Sequence, residues 1–415
     1  MSNWLGIDFG TSNSAAAYLS DGQVVRVELE AGADVIPTAV FFDFQGQQIL
    51  HGTAANKALI DGLDGRYMRS LKSVLGTGLM HEKRQLLGRR LDFFEIITGF
   101  LALLKNRAER DAGIKFDHVV AGRPVFFYRE DAGKDKAAQR DLETCYLNAG
   151  FSSVKFLYEP EAAAMASAGN APDDAIGLVV DIGGGTSDFT LFRSERAGVK
   201  IIFSNGLRLG GTHFDRQINF DHFMPLLGRG HNLKRRFADG VMQAPKRIFA
   251  DLSTWEKIPF LYDRKSKLLV ESMVRDAVEP HVFSRLLKAL DMRLGHDLAF
   301  LAEETKMSYN RQSEGSIVNL SLIEANLNTH LSIDNFDNSL SRYGIQIAEA
   351  LSETLEKGNT DANDVESVIT VGGSSSMGIV TDAIDGCLPN TQIQQGAVFT
   401  SIVDGLAIAT QMAEK

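Results

Sequence analysis

Cysteine is nearly absent from this chain, with only Cys145 and Cys387 among 415 residues. They lie far apart in apolar contexts, which argues against a disulfide framework or a thiolate metal site and points to a reducing, cytoplasmic setting. No run of 18 apolar residues occurs, and the chain enters its first apolar strand at Trp4 without a basic and then apolar leader, so neither a membrane span nor a secretory signal is indicated. Positive charge is in short supply: 43 Lys and Arg against 53 Asp and Glu leave a net charge of −10. That balance argues against a nucleic-acid partner, which would want a basic face. The local run Lys234-Arg235-Arg236 reads as the solvated face of a helix. Nine histidines show no H-E-x-x-H or comparable spacing, which argues against a protein-caged transition metal. There is no G-x-x-x-x-G-K-[ST], hence no P-loop, and no G-x-G-x-x-G joins a strand to a helix as a dinucleotide fold requires.

What is present is 44% apolar and 23% charged residues, ordinary for a soluble globular chain of two or three domains. Two glycine-rich segments stand out, GIDFGTSNS from Gly6 and VVDIGGGTSDFTLF from Val179, about 170 residues apart. Each ends an apolar β-branched run with an aspartate, Asp8 or Asp181, and follows it with glycines and a hydroxyl, Thr11 or Thr186. One such segment is an ordinary hairpin turn. Two of the same grammar suggest a duplicated unit whose backbone N–H groups approach an anionic ligand, most simply a polyphosphate held between two hairpins.

The remaining pattern is α/β. Ala15 to Leu19 and Gln23 to Leu29 continue the first turn as a meander around Asp21-Gly22. A capping box, Asp92 with Glu95, opens a helix carrying Ile96, Phe100, Leu103 and Leu104 inward as far as Gly113. Then follow a strand from His118 to Phe127, a helix through Ala138, Leu142 and Cys145, a strand from Val154 to Tyr158, and a helix starting at Glu159-Pro160. LGGTHFD (Leu209 to Asp215) leads into about a hundred mainly helical residues, Phe214 to Ser316. Val365 to Val371 ends in Gly372-Gly373-Ser374-Ser375-Ser376, and Ser401 to Met412 forms a closing helix. The expected architecture is lobe I, 1–170, with core 1–37 and 114–170 and an inserted subdomain 38–113; lobe II, 171–394, with core 171–213 and 317–394 and an inserted subdomain 214–316; and a closing segment, 395–415, with a ligand cleft between the halves.

Taken in order, GIDFGTSNS, LKSVLG, VVAGRPVFF, YEPEAAA, DIGGGTSDF, LGGTHFD, EETKMS and VGGSSS resemble the nucleotide-binding domain of the seventy-kilodalton heat-shock chaperones (DnaK-type), in the actin-like ATPase superfamily. The resemblance implies two ribonuclease-H-like lobes, each with an inserted subdomain, and an ATP or ADP site with Mg²⁺. Residue by residue it implies a first phosphate turn at Asp8, Gly10, Thr11, Ser12 and Asn13, and a second at Asp181, Gly183, Gly184, Gly185 and Thr186. It further implies nucleotide contacts at Gly210, Gly211, Glu303, Lys306, Met307, Gly372, Gly373, Ser374 and Ser376. Asp8, Glu159 and Asp181 would serve a hydrated metal, and Lys72, Asp188 and Thr186 would act in catalysis, the ammonium on developing phosphate charge. Glu159 has a competing role as a helix cap and Asp188 one as a plain turn residue.

At the base the pattern departs. The family's two adenine-covering arginines are replaced by Met307 and Ser376, so phosphate chemistry is expected to be retained and base recognition altered. The family continues past its closing helix into an apolar linker and a peptide-binding domain, whereas this sequence ends at Lys415, so peptide binding in that manner is not expected. The expected activity is slow Mg-dependent ATP hydrolysis used as a switch, with protein partners on the inserted subdomains. A non-hydrolysing nucleotide-gated module, a sugar or acid kinase and a filament-forming actin relative remain alternatives.

Overall fold

The computed structural model describes residues 3–167, 172–195, 198–235, 239–309, 316–395 and 400–413. They gather into two compact units: residues 1–210, 346–376 and 380–415 in one, and 211–345 with 377–379 in the other. The lobe boundary expected at 170/171 lies outside the described residues, as does Arg236.

The first unit contains two sheets of one design. In the first, Trp4–Phe9 and Asn13–Ser20 pair antiparallel, Gln23–Arg26 completes a meander, and His118–Arg123 and Ser153–Tyr158 add on the other side in parallel. In the second, Ile176–Ile182, Ser187–Glu195 and Gly198–Leu207 form the meander, and Val365–Val371 and Gln392–Gln395 add in parallel. The duplication suggested by the two glycine segments is therefore a duplication of topology. Local chemistry explains the turns. Asp21 and Gly22, with φ of 52° and 78°, supply the two positive φ values that a tight two-residue hairpin requires.

The helix Phe93–Ala112 begins and ends where its caps dictate. Asp92 accepts from the Glu95 N–H at 3.0 Å, Glu95 accepts from the Asp92 N–H at 3.0 Å, and Gly113 closes the other end in the left-handed conformation. Its buried face, Ile96, Ile97, Phe100, Leu101 and Leu104, shares one apolar cluster with Leu5, Ile7, Phe9 and Val119. The helix, expected within the 38–113 insertion, thus shares its apolar face with the first sheet as well as with Val40, Phe42 and Met68 of that region. The rest of that region holds a small sheet, Gln48–His51, Ala39–Asp43 and Gly65–Arg69, the helix Thr53–Ile60, short turns at Leu71–Val74 and Gly78–His81, and a separate hairpin, Arg84–Leu86 with Arg89–Leu91. Two expectations are corrected. The strand from His118 stops at Arg123, because Pro124 has no N–H to continue the ladder, and Lys234 ends the strand Asn232–Lys234 instead of lying on a helix.

Each sheet is followed by a helix that packs on the other sheet. Ala163 and Ala164 of Glu159–Ser167 cluster with Val179, Phe192 and Ile369 of the second sheet. Val403 and Ala407 of Ser401–Ala413 cluster with Ala15, Ala17 and Leu19 of the first. The two helices also cross in contact, and small residues make this possible. A Cβ on Gly405 would stand 1.8 Å from the Ala162 carbonyl oxygen, and one on Gly6 2.8 Å from the Ala407 nitrogen.

The second unit is mainly helical, with Gly211–Ile218, Arg264–Asp276, Pro280–Asp291, Gly295–Tyr309 and the start of Ile333–Lys357, plus two short hairpins. Pro280–Asp291 is typical, burying Val282, Phe283, Leu286, Ala289 and Leu290 along one face.

Candidate active site

Both glycine segments are hairpin turns at the ends of the leading strands of their sheets. In the second, the Gly183 N–H donates to the Thr186 carbonyl at 2.9 Å, which fixes a four-residue turn. The register sets Asp181 directly opposite Asp188 across that hairpin, whereas Asp8 faces Ala15 in the first. The two halves therefore match in backbone but not in charge.

The turns are brought together by the absence of side chains. A Cβ on Gly184 would stand 2.1 Å from Ser12 Oγ, so the two turns touch. A Cβ on Gly210 would meet the Gly183 carbonyl at 2.6 Å and Gly185 N at 2.7 Å, and one on Gly372, with φ of 85°, would meet the Ile182 carbonyl at 2.4 Å and Asp181 Oδ1 at 2.7 Å. The Ser374 N–H also donates to the Ile182 carbonyl at 3.3 Å, and Ser187 Oγ to the Leu209 carbonyl at 2.8 Å. Four glycine segments thus converge on one place. Thr11, Ser12, Asn13 and Gly183 to Thr186 keep part of their surface accessible there, as do Gly373 and Ser376.

Beneath the turns lies a concentration of charge. Glu159, Asp181 and Asp188 are buried and Asp8 is part-buried, and the cation among them is Lys72, itself buried and paired with Glu159. Gly122 leaves the room: a Cβ on it would lie 3.2 Å from Glu159 Cγ and 3.7 Å from Asp8 Oδ1. Burial, then the charge of Glu159, pushes Asp8 up to about 7 against the opposing effect of Lys72. The same two causes bring Asp188 to about 7, although Thr186 and the Val125 backbone bond to it and favour its charged form. Asp181 is raised further, by burial and then by Glu159, Asp188 and Asp8. Burial alone would depress the Lys72 ammonium, but Glu159, Asp8 and Asp188 together hold it above its ordinary value.

Glu159 therefore spends its carboxylate on Lys72, across 87 residues of sequence. Among the described residues no group of three His, Cys, Asp or Glu stands ready to ligate a metal ion directly. The donor chemistry nevertheless fits a hydrated hard cation. Carboxyls in excess of cations, with Asp8, Asp181 and Asp188 raised by burial under polar turns, are stabilised by added positive charge.

Lys306, Glu303 and Met307 lie on Gly295–Tyr309 in the second unit, together with Gly211. Lys306 is buried and committed, its ammonium 2.8 Å from Asp215 and 3.4 Å from the Gly211 carbonyl, while Met307 is 43% exposed. Sequence reasoning missed Tyr146. Its hydroxyl is fully buried without a hydrogen-bond partner, and burial, then Asp8 and Glu159, hold its pKa well above the ordinary value. The only signal in the sequence was its place on the apolar face of Ala132–Asn148, which does not distinguish it from other core residues.

Duplicated sheets of a meander and two parallel strands, exchanging their closing helices and joined at acid-bearing glycine turns, constitute the actin-like ATPase fold. The family model for the Hsp70 protein matches residues 4–247, more than half of the chain, and the chain belongs to that family. It is similar to the chaperone protein DnaK of Ureaplasma urealyticum serovar 10, with 26% identity over 313 residues, 73% of this chain and 50% of the relative. It is also similar to the chaperone protein DnaK of Ureaplasma parvum serovar 3, with 27% identity over 313 residues, 73% of this chain and 49% of the relative. The chain spans about half the length of these curated relatives. Among the described residues, no helix is long and apolar enough to cross a membrane.

Proposed function

We propose that this chain binds ATP and ADP with Mg²⁺ at the converging glycine turns, hydrolyses ATP slowly, and uses the bound nucleotide as a switch for a protein partner in a chaperone-like role in the cytoplasm. The observation that carries the reading is the contact of the two glycine turns that follow Asp8 and Asp181, with Lys72, Glu159 and Asp188 buried beside those acids. The Gly183–Thr186 turn and the Thr11–Asn13 turn would hold phosphate oxygens with backbone N–H groups and hydroxyls. Asp8, Asp181 and, through water on the oxygen that Lys72 leaves free, Glu159 would hold the hydrated ion. When bound, Mg²⁺ shields phosphate charge and supplies electrostatic stabilisation to the transferring group.

The remaining roles belong to the chain's own side chains. Asp188, with a pKa of about 7, exchanges a proton near neutral pH and is the group to accept one from an attacking water, with Thr186 fixing its carboxyl. Lys72 donates to the phosphate side of the site and is kept charged by Glu159 and Asp8. That pairing also favours a second reading, a module that binds nucleotide with negligible turnover, because a lysine already neutralised by Glu159 has less charge to give a transition state.

Thermal melts and calorimetry with Mg-ATP test binding, and a single-turnover assay with labelled ATP separates the two readings. Ligand at a hundredfold its Kd should stabilise the fold by about 2.7 kcal/mol. No shift at millimolar nucleotide refutes the proposal.

A further inference from the structure

The small sheet of residues 39–69 has an open edge. Gly65–Arg69 is its last strand and pairs with Ala39–Asp43, and nearby Arg84–Leu86 pairs with Arg89–Leu91. The two strands are in separate sheets. Between them lies a cavity of about 570 Å³ walled by Phe44, Arg66, Met68, Arg84 and Leu86. Met68 and Leu86 form a buried apolar floor, and Phe44 is 38% exposed at the rim.

Charge here is one-sided. Apart from Lys72, which is buried against Glu159, residues 65–91 carry six Lys and Arg against one acid, Glu82, within a chain of net charge −10. Glu82 is 3.3 Å from Arg84, whose guanidinium also lies 5.1 Å from the Phe93 ring centroid. Arg66 is half-buried, and no carboxylate among the described residues pairs with it. Burial, then the neighbouring Arg84, holds its pKa below the usual arginine value. Arginines facing each other across the gap oppose direct pairing of the two strands.

Charge on a strand edge commonly serves only to prevent association. A guard of that kind has no need of an apolar floor. Both walls moreover repeat one pattern, an arginine and then, two residues on, an apolar side chain: Arg66 with Met68 and Arg84 with Leu86. Residues two apart share a face of a strand, so the pattern is complementary to a third strand with a carboxylate and an apolar side chain two positions apart. Met68 and Leu86 belong to the main apolar core, but an inorganic anion on the guanidinium forks would still leave Phe44 exposed at the rim.

We propose that this groove takes up an extended acidic segment of a partner protein, added between the two strand edges with its carboxylates on Arg66 and Arg84 and its apolar side chains on Phe44, Met68 and Leu86. The proposal does not depend on nucleotide binding elsewhere in the chain.

The test is fluorescence anisotropy on the full chain with a labelled peptide repeating Glu-Thr-Leu-Thr, beside the same peptide with Gln for Glu. The Glu peptide should bind and weaken as salt rises, and the Gln peptide should not bind. Arg66→Met and Arg84→Gln should each weaken binding about tenfold or more, about 1.4 kcal/mol. The Arg84 side chain is 33% exposed, so its variant keeps the test decisive if Arg66→Met melts early. Absence of binding by the native protein, equal binding of the Gln peptide, unchanged affinity in Arg84→Gln, or complete displacement by millimolar inorganic phosphate would each overturn the proposal.

Discussion

Replacing Asp188 by asparagine should make the nucleotide-free protein more stable while removing its turnover. Asp188 is 2% exposed, faces Asp181 across the hairpin, and titrates at about 7 instead of the ordinary 3.8. A difference of about three pH units corresponds to about 4 kcal/mol against the ionised carboxyl in the folded state. Asparagine removes that charge and keeps an acceptor for the Thr186 hydroxyl and the Val125 backbone. Some of the gain is lost because the asparagine NH2 must be buried where a carboxyl oxygen stood, which leaves an expected net stabilisation of about 1–3 kcal/mol at pH 8. The pH dependence has a definite sign. The folded-state pKa lies above the unfolded one, so between pH 3.8 and about 7 the folded protein binds the extra proton, and the native chain loses stability as pH rises through that window. The advantage of Asp188→Asn should accordingly be absent near pH 4 and complete near pH 8. Urea denaturation without nucleotide at several pH values measures it, and single-turnover hydrolysis measures the loss of function. A variant less stable than the native chain at pH 8, or one with the same increment at pH 5 and pH 8, would refute the reasoning.

Lys72→Met should destabilise the protein by about 3–5 kcal/mol, since it leaves Glu159 buried and unpaired, and adding Glu159→Gln should restore most of that loss in thermal melts. In a Lys72 variant that remains folded, turnover should fall far more than ATP affinity, and equal losses would make the lysine a ground-state phosphate ligand. Gly405→Ala should cost about 1–3 kcal/mol or more in a denaturant titration, because its methyl group would collide with the Ala162 backbone and not with a movable side chain. ATP should be preferred over GTP by about tenfold or less, about 1.4 kcal/mol, with Met307 and Ser376 where the family carries arginines. Competition of the two nucleotides on the native chain and on Met307→Arg with Ser376→Arg checks this, and a thousandfold preference in the native chain would contradict it.

The sequence alone determined whatever depends on neighbours along the chain. The turn of GIDFGTSNS, the capping box of Asp92 and Glu95, the stop at Gly113 and the helix starting at Glu159-Pro160 all follow from backbone chemistry within a few residues, and each was legible. The repeated glycine segments also announced a duplicated topology, since like turns between like strands build like meanders. Tertiary structure decided the rest. Nothing near Lys72 says that its ammonium meets a carboxylate 87 residues away. Nor does a run of alanines say on which sheet it will pack, because small residues fit wherever two backbones must approach closely, as Gly405 and Ala162 do. The pKa values of Asp8 and Asp188 are of the same kind. A carboxyl in a turn reads as an ordinary surface acid until folding closes the other sheet, its glycines and its acids around it, and burial together with like charge then moves its titration to neutrality.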